Sequence, residues 1–233
     1  MTGKPHTAAP RVLFGEVLRM TRIRQVLWDW NGTLLDDLWY AIGVRNRTFP
    51  LFGLSGVYTL EEYYRQFTFP IRTYYENAGV TDEIFDDVAH AWMAEYERGF
   101  ATVPLHGDAV ETLDRIRSAG MTQSVLSATR RDMLISQLDQ FHLLPYFDHV
   151  LGLSDIYARS KIDVGRAYLE ECGISPAETV LIGDSLHDAE VADALGTHCI
   201  LVTRGHQSAE TLQKAGVPLA DSLRAAADLF LRQ

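Results

Sequence analysis

Strand-like segments four to six residues long recur along the chain, the clearest of them continuous apolar runs bounded by glycine or polar positions. Gln25-Val26-Leu27-Trp28-Asp29-Trp30 is one, Thr122 to Leu126 a second, and His149-Val150-Leu151-Gly152-Leu153 a weaker third. Thr179-Val180-Leu181-Ile182 and Cys199-Ile200-Leu201-Val202 complete the set. Continuous apolarity of this length fits strands covered on both faces. Between the runs lie stretches with helical spacing, such as Ala109 to Ser118, stopped by Gly120, and Val164 to Cys172, stopped by Gly173. This alternation predicts an α/β fold with a doubly wound, parallel, Rossmann-like sheet.

The alternation breaks once. From Asp37 to Val103 the spacing is helical with little strand, and 15 of the chain's 24 aromatic residues fall there. That enrichment predicts a separately packed helical unit. The expected organisation is therefore a core of residues 21–36 and 104–233, interrupted by a helical insertion at 37–103. Residues 1–20, with Pro5, Pro10 and several basic positions, read as a disordered leader.

With 47% hydrophobic residues in 233, the chain can bury a substantial core. The formal net charge of −10 disfavours nucleic acid and anionic membranes as general partners. It would also repel a phosphorylated ligand, so a site for one needs local positive charge. The two cysteines, Cys172 and Cys199, form no CxxC pair and fit a reduced, cytoplasmic protein. No apolar run approaches the roughly 20 residues that a membrane-spanning helix needs.

Ligands of open parallel sheets bind beyond the carboxyl ends of the strands. The first strand runs into Asp29-Trp30-Asn31-Gly32-Thr33-Leu34-Leu35-Asp36-Asp37, and the second ends in Ser127, followed by Ala128. Lys161, one of only three lysines, precedes a helix, and the fourth strand ends in Gly183-Asp184-Ser185-Leu186-His187-Asp188. This ordered set resembles the four motifs of the haloacid dehalogenase-like superfamily, over roughly residues 24–204. The insertion at 37–103 resembles the helical cap of its phosphoglycolate phosphatase-like branch, and Pro104-Leu105-His106-Gly107 resembles the return from that cap.

The resemblance implies a phosphatase that uses Mg²⁺ and acts on a small phosphorylated substrate. Asp29 would be the nucleophile, forming an aspartyl-phosphate. Mg²⁺, which prefers oxygen ligands, would be held by Asp29, the backbone carbonyl of Asn31 and Asp184, with support from Asp188. Asp29, Gly32, Ser127, Ala128 and Lys161 would surround the phosphate, Ser127 by hydrogen bonding and Lys161 by charge. The plainer alternative for Asp188 is a helix N-cap alone, and Asp36 and Asp37 read as caps of the first helix of the insertion. His106 and His187 read as structural or rim residues. Arg130 and Arg131 read as a solvated helix start. Arg45, Arg47, Arg65, Arg72 and Arg98 are candidates for substrate contact from the insertion, although for each the surface is the plainer reading.

One position departs from the family pattern. In its phosphatases the residue two after the nucleophile is an aspartate that serves as general acid and base; here it is Asn31. An amide neither delivers nor accepts a proton at neutral pH, and general acid–base help is typically worth 10²- to 10⁴-fold. The expectation is a phosphohydrolase with altered proton transfer. The alternative is a weakly active or inactive phosphate-binding, regulatory member of the same fold.

Overall fold

The computed structural model describes residues 22–153 and 160–231; the expected leader lies outside them. Six strands form one sheet: β1 (Gln25–Trp28), β2 (Thr122–Arg130), β3 (His149–Leu153), β4 (Thr179–Gly183), β5 (His198–Val202) and β6 (Leu219–Ala220). Their order is β3-β2-β1-β4-β5-β6, and every neighbouring pair is parallel. The two-residue β6 was not anticipated from sequence, being too short to show a pattern.

β1, β4 and β5 carry apolar residues at consecutive positions because both faces of the sheet are covered. Val26, Trp28, Val125, Val180, Ile182, Ile200 and Val202 enter one apolar cluster. Their alternating neighbours Leu27, Leu126, Leu181, Cys199 and Leu201 enter a second. The first face is covered by α5 (Ala109–Ser118), α6 (Arg131–Gln140) and α10 (Leu223–Leu231). The second is covered by α7 (Lys161–Cys172), α8 (Leu186–Leu195) and the short α9 (Ala209–Leu212). Helices on both faces of a parallel sheet make the fold doubly wound α/β.

Between β1 and α5 the described residues hold four α-helices and no strand. These are α1 (Leu38–Thr48), α2 (Leu60–Gln66), α3 (Ile71–Asn77) and α4 (Phe85–Gly99). Leu38, Ile42, Phe49, Tyr63, Tyr74, Tyr75 and Val88 form an apolar cluster of their own. Tyr96 and Phe100 instead join the cluster on the first face of the sheet, so aromatic residues bind the insertion to the sheet as well as to itself.

Three local expectations need correction. β1 ends at Trp28, two residues early, because the chain turns: the N–H groups of Thr33, Leu34 and Leu35 all donate to the Trp30 carbonyl. β2 continues past Ser127 to Arg130, with an irregular register against β3 between Leu126 and Arg130. Lys161 is the first residue of α7 and does not precede it. Ser160 caps that helix, its hydroxyl accepting from Asp163 N while the Asp163 carboxylate accepts from Ser160 N.

Candidate active site

The register brings the motif residues to one edge of the sheet. Trp28 pairs with both Val125 and Ile182. Asp29 therefore stands level with Leu126 and Gly183, and Ser127 and Asp184 lie one residue further out. Asp29 is fixed there by its N–H, which donates to the Ile182 carbonyl at 2.9 Å. The ligand oxygens of Asp29, Asp184 and Asp188, all buried, lie within 4.8 Å of one another.

Lys161 Nζ reaches this trio from α7, 2.7 Å from Asp29 Oδ1 and 2.6 Å from Asp188 Oδ1. Burial opposes its charge, but Asp188 and Asp29 hold its pKa above the usual lysine range. Asp188 stays low despite burial, because Lys161 and the Ser185 hydroxyl bind it. Its Oδ2 also accepts from the N–H groups of Asp184 and Ser185. Asp188 is therefore not the N-cap of α8: Ser185 is, and Asp188, at the third helical position, completes that capping box while also belonging to the acidic trio.

One lysine does not neutralise three carboxylates. Burial, with the repulsion of Asp188, pushes Asp29 up to about 6 against the pull of Lys161. Burial, Asp29 and Asp188 push Asp184 up to about 8. Asp29 therefore holds its proton more tightly than an ordinary carboxyl does. Surplus negative charge on buried oxygens suits a hard divalent cation, so this donor set fits Mg²⁺.

Gly32 makes the turn beneath the trio. Its φ is +73°, and a Cβ there would collide with the Asp184 carboxylate and the His206 ring. The Gly32 N–H donates to Asp37 Oδ1 at 2.8 Å. Here a further expectation is corrected. Asp37 precedes α1, yet its side chain makes no cap hydrogen bond. It turns inward, 2% exposed, and accepts from four donors: Gly32 N and His206 Nε2 on Oδ1, Asn31 Nδ2 and Tyr96 OH on Oδ2. Asp36 likewise caps nothing; its Oδ2 lies 3.7 Å from His106 Nδ1.

His206 was missed from sequence. It follows β5, and its N–H donates to Asp184 Oδ2 at 2.5 Å. Burial disfavours its charge, but Asp37, Asp184 and Asp29 raise its pKa to about 9. Its Nδ1 lies 2.8 Å from the Tyr63 hydroxyl on α2, and Phe67 stacks against its ring. Asn31 was foreseen as chemically neutral, but its surroundings were not. Nδ2 donates to Asp37 and to Tyr96 OH at 2.9 and 3.0 Å, and Oδ1 accepts from Thr129 Oγ1 at 2.9 Å.

Ser127 is buried, and its Oγ accepts from Thr129 N at 3.1 Å, which leaves its own proton to donate. Ala128 beside it is exposed. His106 is buried, with Nε2 3.3 Å from the Gly32 carbonyl, while His187 stacks on Phe69. The arginines named from sequence have local partners. Arg47 and Arg98 pair with Glu95, Arg72 with Asp82 and Arg130 with Asp132. Arg65 and Arg131 donate to the carbonyls of Glu61 and Val150. Arg45 is buried among Tyr74, Gln66 and the Ser55 carbonyl.

Residues 26–202 match the family model described as haloacid dehalogenase-like hydrolase. Pyrophosphatase PpaX of Bacillus velezensis is 25% identical over 201 residues, spanning 82% of this chain and 88% of that protein. Phosphoglycolate phosphatase 1 of Pseudomonas aeruginosa is 24% identical over 152 residues, which cover 64% of this chain but only 56% of the relative. Among solved structures, a predicted phosphatase from Clostridium acetobutylicum superposes with a TM-score of 0.79 at 22% identity. That superposition covers 91% of this chain and 100% of the other.

Proposed function

Because the chain belongs to the haloacid dehalogenase-like hydrolase family, we propose that it is a Mg²⁺-dependent phosphohydrolase with Asp29 as its nucleophile, acting on a small phosphorylated metabolite. The relatives named pyrophosphatase and phosphoglycolate phosphatase support that substrate class. The observation that carries the reading is the buried trio of Asp29, Asp184 and Asp188 around Lys161.

Asp29, Asp184 and the carbonyl of Asn31 would hold Mg²⁺, with Asp188 orienting Lys161 and capping α8 behind them. The cation, when bound, supplies the positive charge that lets a carboxylate and a phosphate approach each other. Asp29 attacks phosphorus, the bond to the leaving oxygen breaks, and a phosphoryl group remains on the aspartate. Water then attacks that phosphorus, releasing phosphate and restoring the carboxylate. Lys161 and the Ser127 hydroxyl offset charge on the phosphoryl oxygens. The helical insertion acts as a cap, with Tyr63 and Tyr96 reaching down to the site. No proton comes from Asn31, so leaving groups that depart without one are the better substrates.

The test is Mg²⁺-dependent hydrolysis of p-nitrophenyl phosphate and acetyl phosphate, comparing the natural protein with Asp29→Asn. Turnover that vanishes in the variant supports the reading. The second reading, a phosphate-binding protein with little turnover, draws on both Asn31 N–H groups being occupied. Binding of Mg²⁺ and vanadate with neither substrate hydrolysed would favour it.

A further inference from the structure

Asn31 and Asp37 together hold one amide and one carboxylate, 2.9 Å apart. Four donors converge on the two Asp37 oxygens, so that side chain can only accept. Its partners settle the orientation of the Asn31 amide. Rotating that amide by half a turn would aim Oδ1 at the Asp37 carboxylate, losing the hydrogen bonds to Asp37 and Tyr96 OH, while the Thr129 hydroxyl could serve either orientation. Both Asn31 N–H protons are thereby committed, one to Asp37 and one to the Tyr96 hydroxyl. None is left for a leaving oxygen.

We propose that Asp37 is a positioning residue for Asn31, and that the two form a transposed pair. The carboxylate that would serve proton transfer at position 31 stands one hydrogen bond further out, at 37. The inference rests on the phosphohydrolase reading for its consequence in turnover, but not for the pairing itself.

The network is closed under exchange of the two residue types. With aspartate at 31 and asparagine at 37, the new amide oxygen still accepts from Gly32 N and His206 Nε2. The new NH₂ group donates to the carboxylate now at 31. Tyr96 OH and Thr129 Oγ1 donate to that carboxylate as well. No donor or acceptor is orphaned, and the charge of the cluster is unchanged. Either single exchange breaks this closure. Asn31→Asp places two carboxylates at hydrogen-bond distance, and Asp37→Asn faces an NH₂ group with donors it cannot accept from.

The experiment compares the natural protein, Asn31→Asp, Asp37→Asn and the double exchange. Melting temperature without metal is read first. Each single exchange should lower it by on the order of 5–10 °C, and the double exchange should restore it. Steady-state turnover of p-nitrophenyl phosphate and β-glycerophosphate with Mg²⁺ is read second. The double exchange should raise turnover of β-glycerophosphate, relative to p-nitrophenyl phosphate, by about 10²-fold. A merely structural contact would restore melting without moving that ratio.

Losses that simply add in the double exchange overturn the proposal, and so does restored melting with an unchanged substrate ratio. Should Asp37→Asn fail to fold, adding it to Asn31→Asp still decides: the proposal requires the second exchange to raise the melting temperature, and a fall overturns it. If none of the four proteins hydrolyses either substrate, the phosphohydrolase reading fails, and the coupling in melting temperature still decides the pairing.

Discussion

Asp37 and His206 stand 169 residues apart in the chain and 3.0 Å apart in space. Both side chains are almost wholly buried. Each holds the other in its charged form: the imidazolium keeps Asp37 below the usual carboxylate range against burial, and Asp37 raises His206 to about 9. Tyr63 binds the second imidazole nitrogen, and the backbone of His206 binds Asp184. One ring thus links the helical insertion, the turn at Gly32 and the acidic trio.

His206→Ala should therefore cost about 3–5 kcal/mol, because it strands the Asp37 carboxylate in a buried place. Urea unfolding of metal-free protein measures this. A loss below about 1 kcal/mol would mean that the pair is screened as a surface pair is.

Lys161→Met removes the only cation that bridges Asp29 and Asp188 among the described residues. At pH 8 the expected loss is again about 3–5 kcal/mol. At pH 5 it should shrink by more than half, since Asp29 and Asp184 can then take up protons. Urea unfolding at the two pH values reads the difference directly, and equal losses would contradict the assignment.

The pH dependence of the metal-free protein follows from three groups. Asp29 and Asp184, pushed up by burial and repulsion, favour the protonated state when folded. Their contribution is complete below the ordinary value of 3.8 and is lost as pH rises through about 6 and about 8. His206 acts in the same sense: its contribution is complete below 6.5 and lost as pH rises through about 9. Melting temperature should fall from pH 5 to 9. Stabilisation by saturating Mg²⁺ should grow across the same window, because binding needs both carboxylates deprotonated. A Mg²⁺ shift independent of pH in thermal melts would exclude Asp29 and Asp184 as ligands.

Gly32→Ala combines a left-handed backbone with a collision against Asp184 and His206. A loss of at least about 2 kcal/mol is expected, together with weakened Mg²⁺ binding. Chemical denaturation and calorimetric titration would show both. Alanine at the exposed turn residue Gly120, also at positive φ but with open space around its Cβ position, should leave Mg²⁺ binding untouched.

The strands were legible because a parallel strand covered on both faces must be apolar at consecutive positions, as Val180-Leu181-Ile182 is. The positions of Asp29 and Asp184, just past the ends of β1 and β4, could then be found, whereas Ser127 lies inside β2, which runs on to Arg130. Asp37 was misread for a physical reason: an aspartate just ahead of a helix looks the same in sequence whether it caps that helix or turns away from it. His206 follows the polar stretch Thr203-Arg204-Gly205, with no periodicity around it. Its one positional signal is that it lies beyond the carboxyl end of β5, at the edge where open parallel sheets bind ligands. Nothing local could have revealed its partner, because pairing between distant segments exists only once the sheet has formed.

The strand order has a consequence for how the chain is made. β1 lies at the centre of the sheet, between β2 and β4. The hydrogen bond from Trp28 to Gln123 spans 95 residues. At ~5–20 residues per second, a ribosome needs on the order of ten seconds to deliver the first neighbour of β1. Until then Leu27 and Trp28 lack the sheet that buries them, while the apolar cluster of the insertion is already complete in the emerging chain. The helical unit can thus condense before the sheet that it interrupts. Asp29 meets Asp184 only after β4 has left the tunnel, so a polypeptide truncated ahead of that strand would carry Asp29 without its acidic partner.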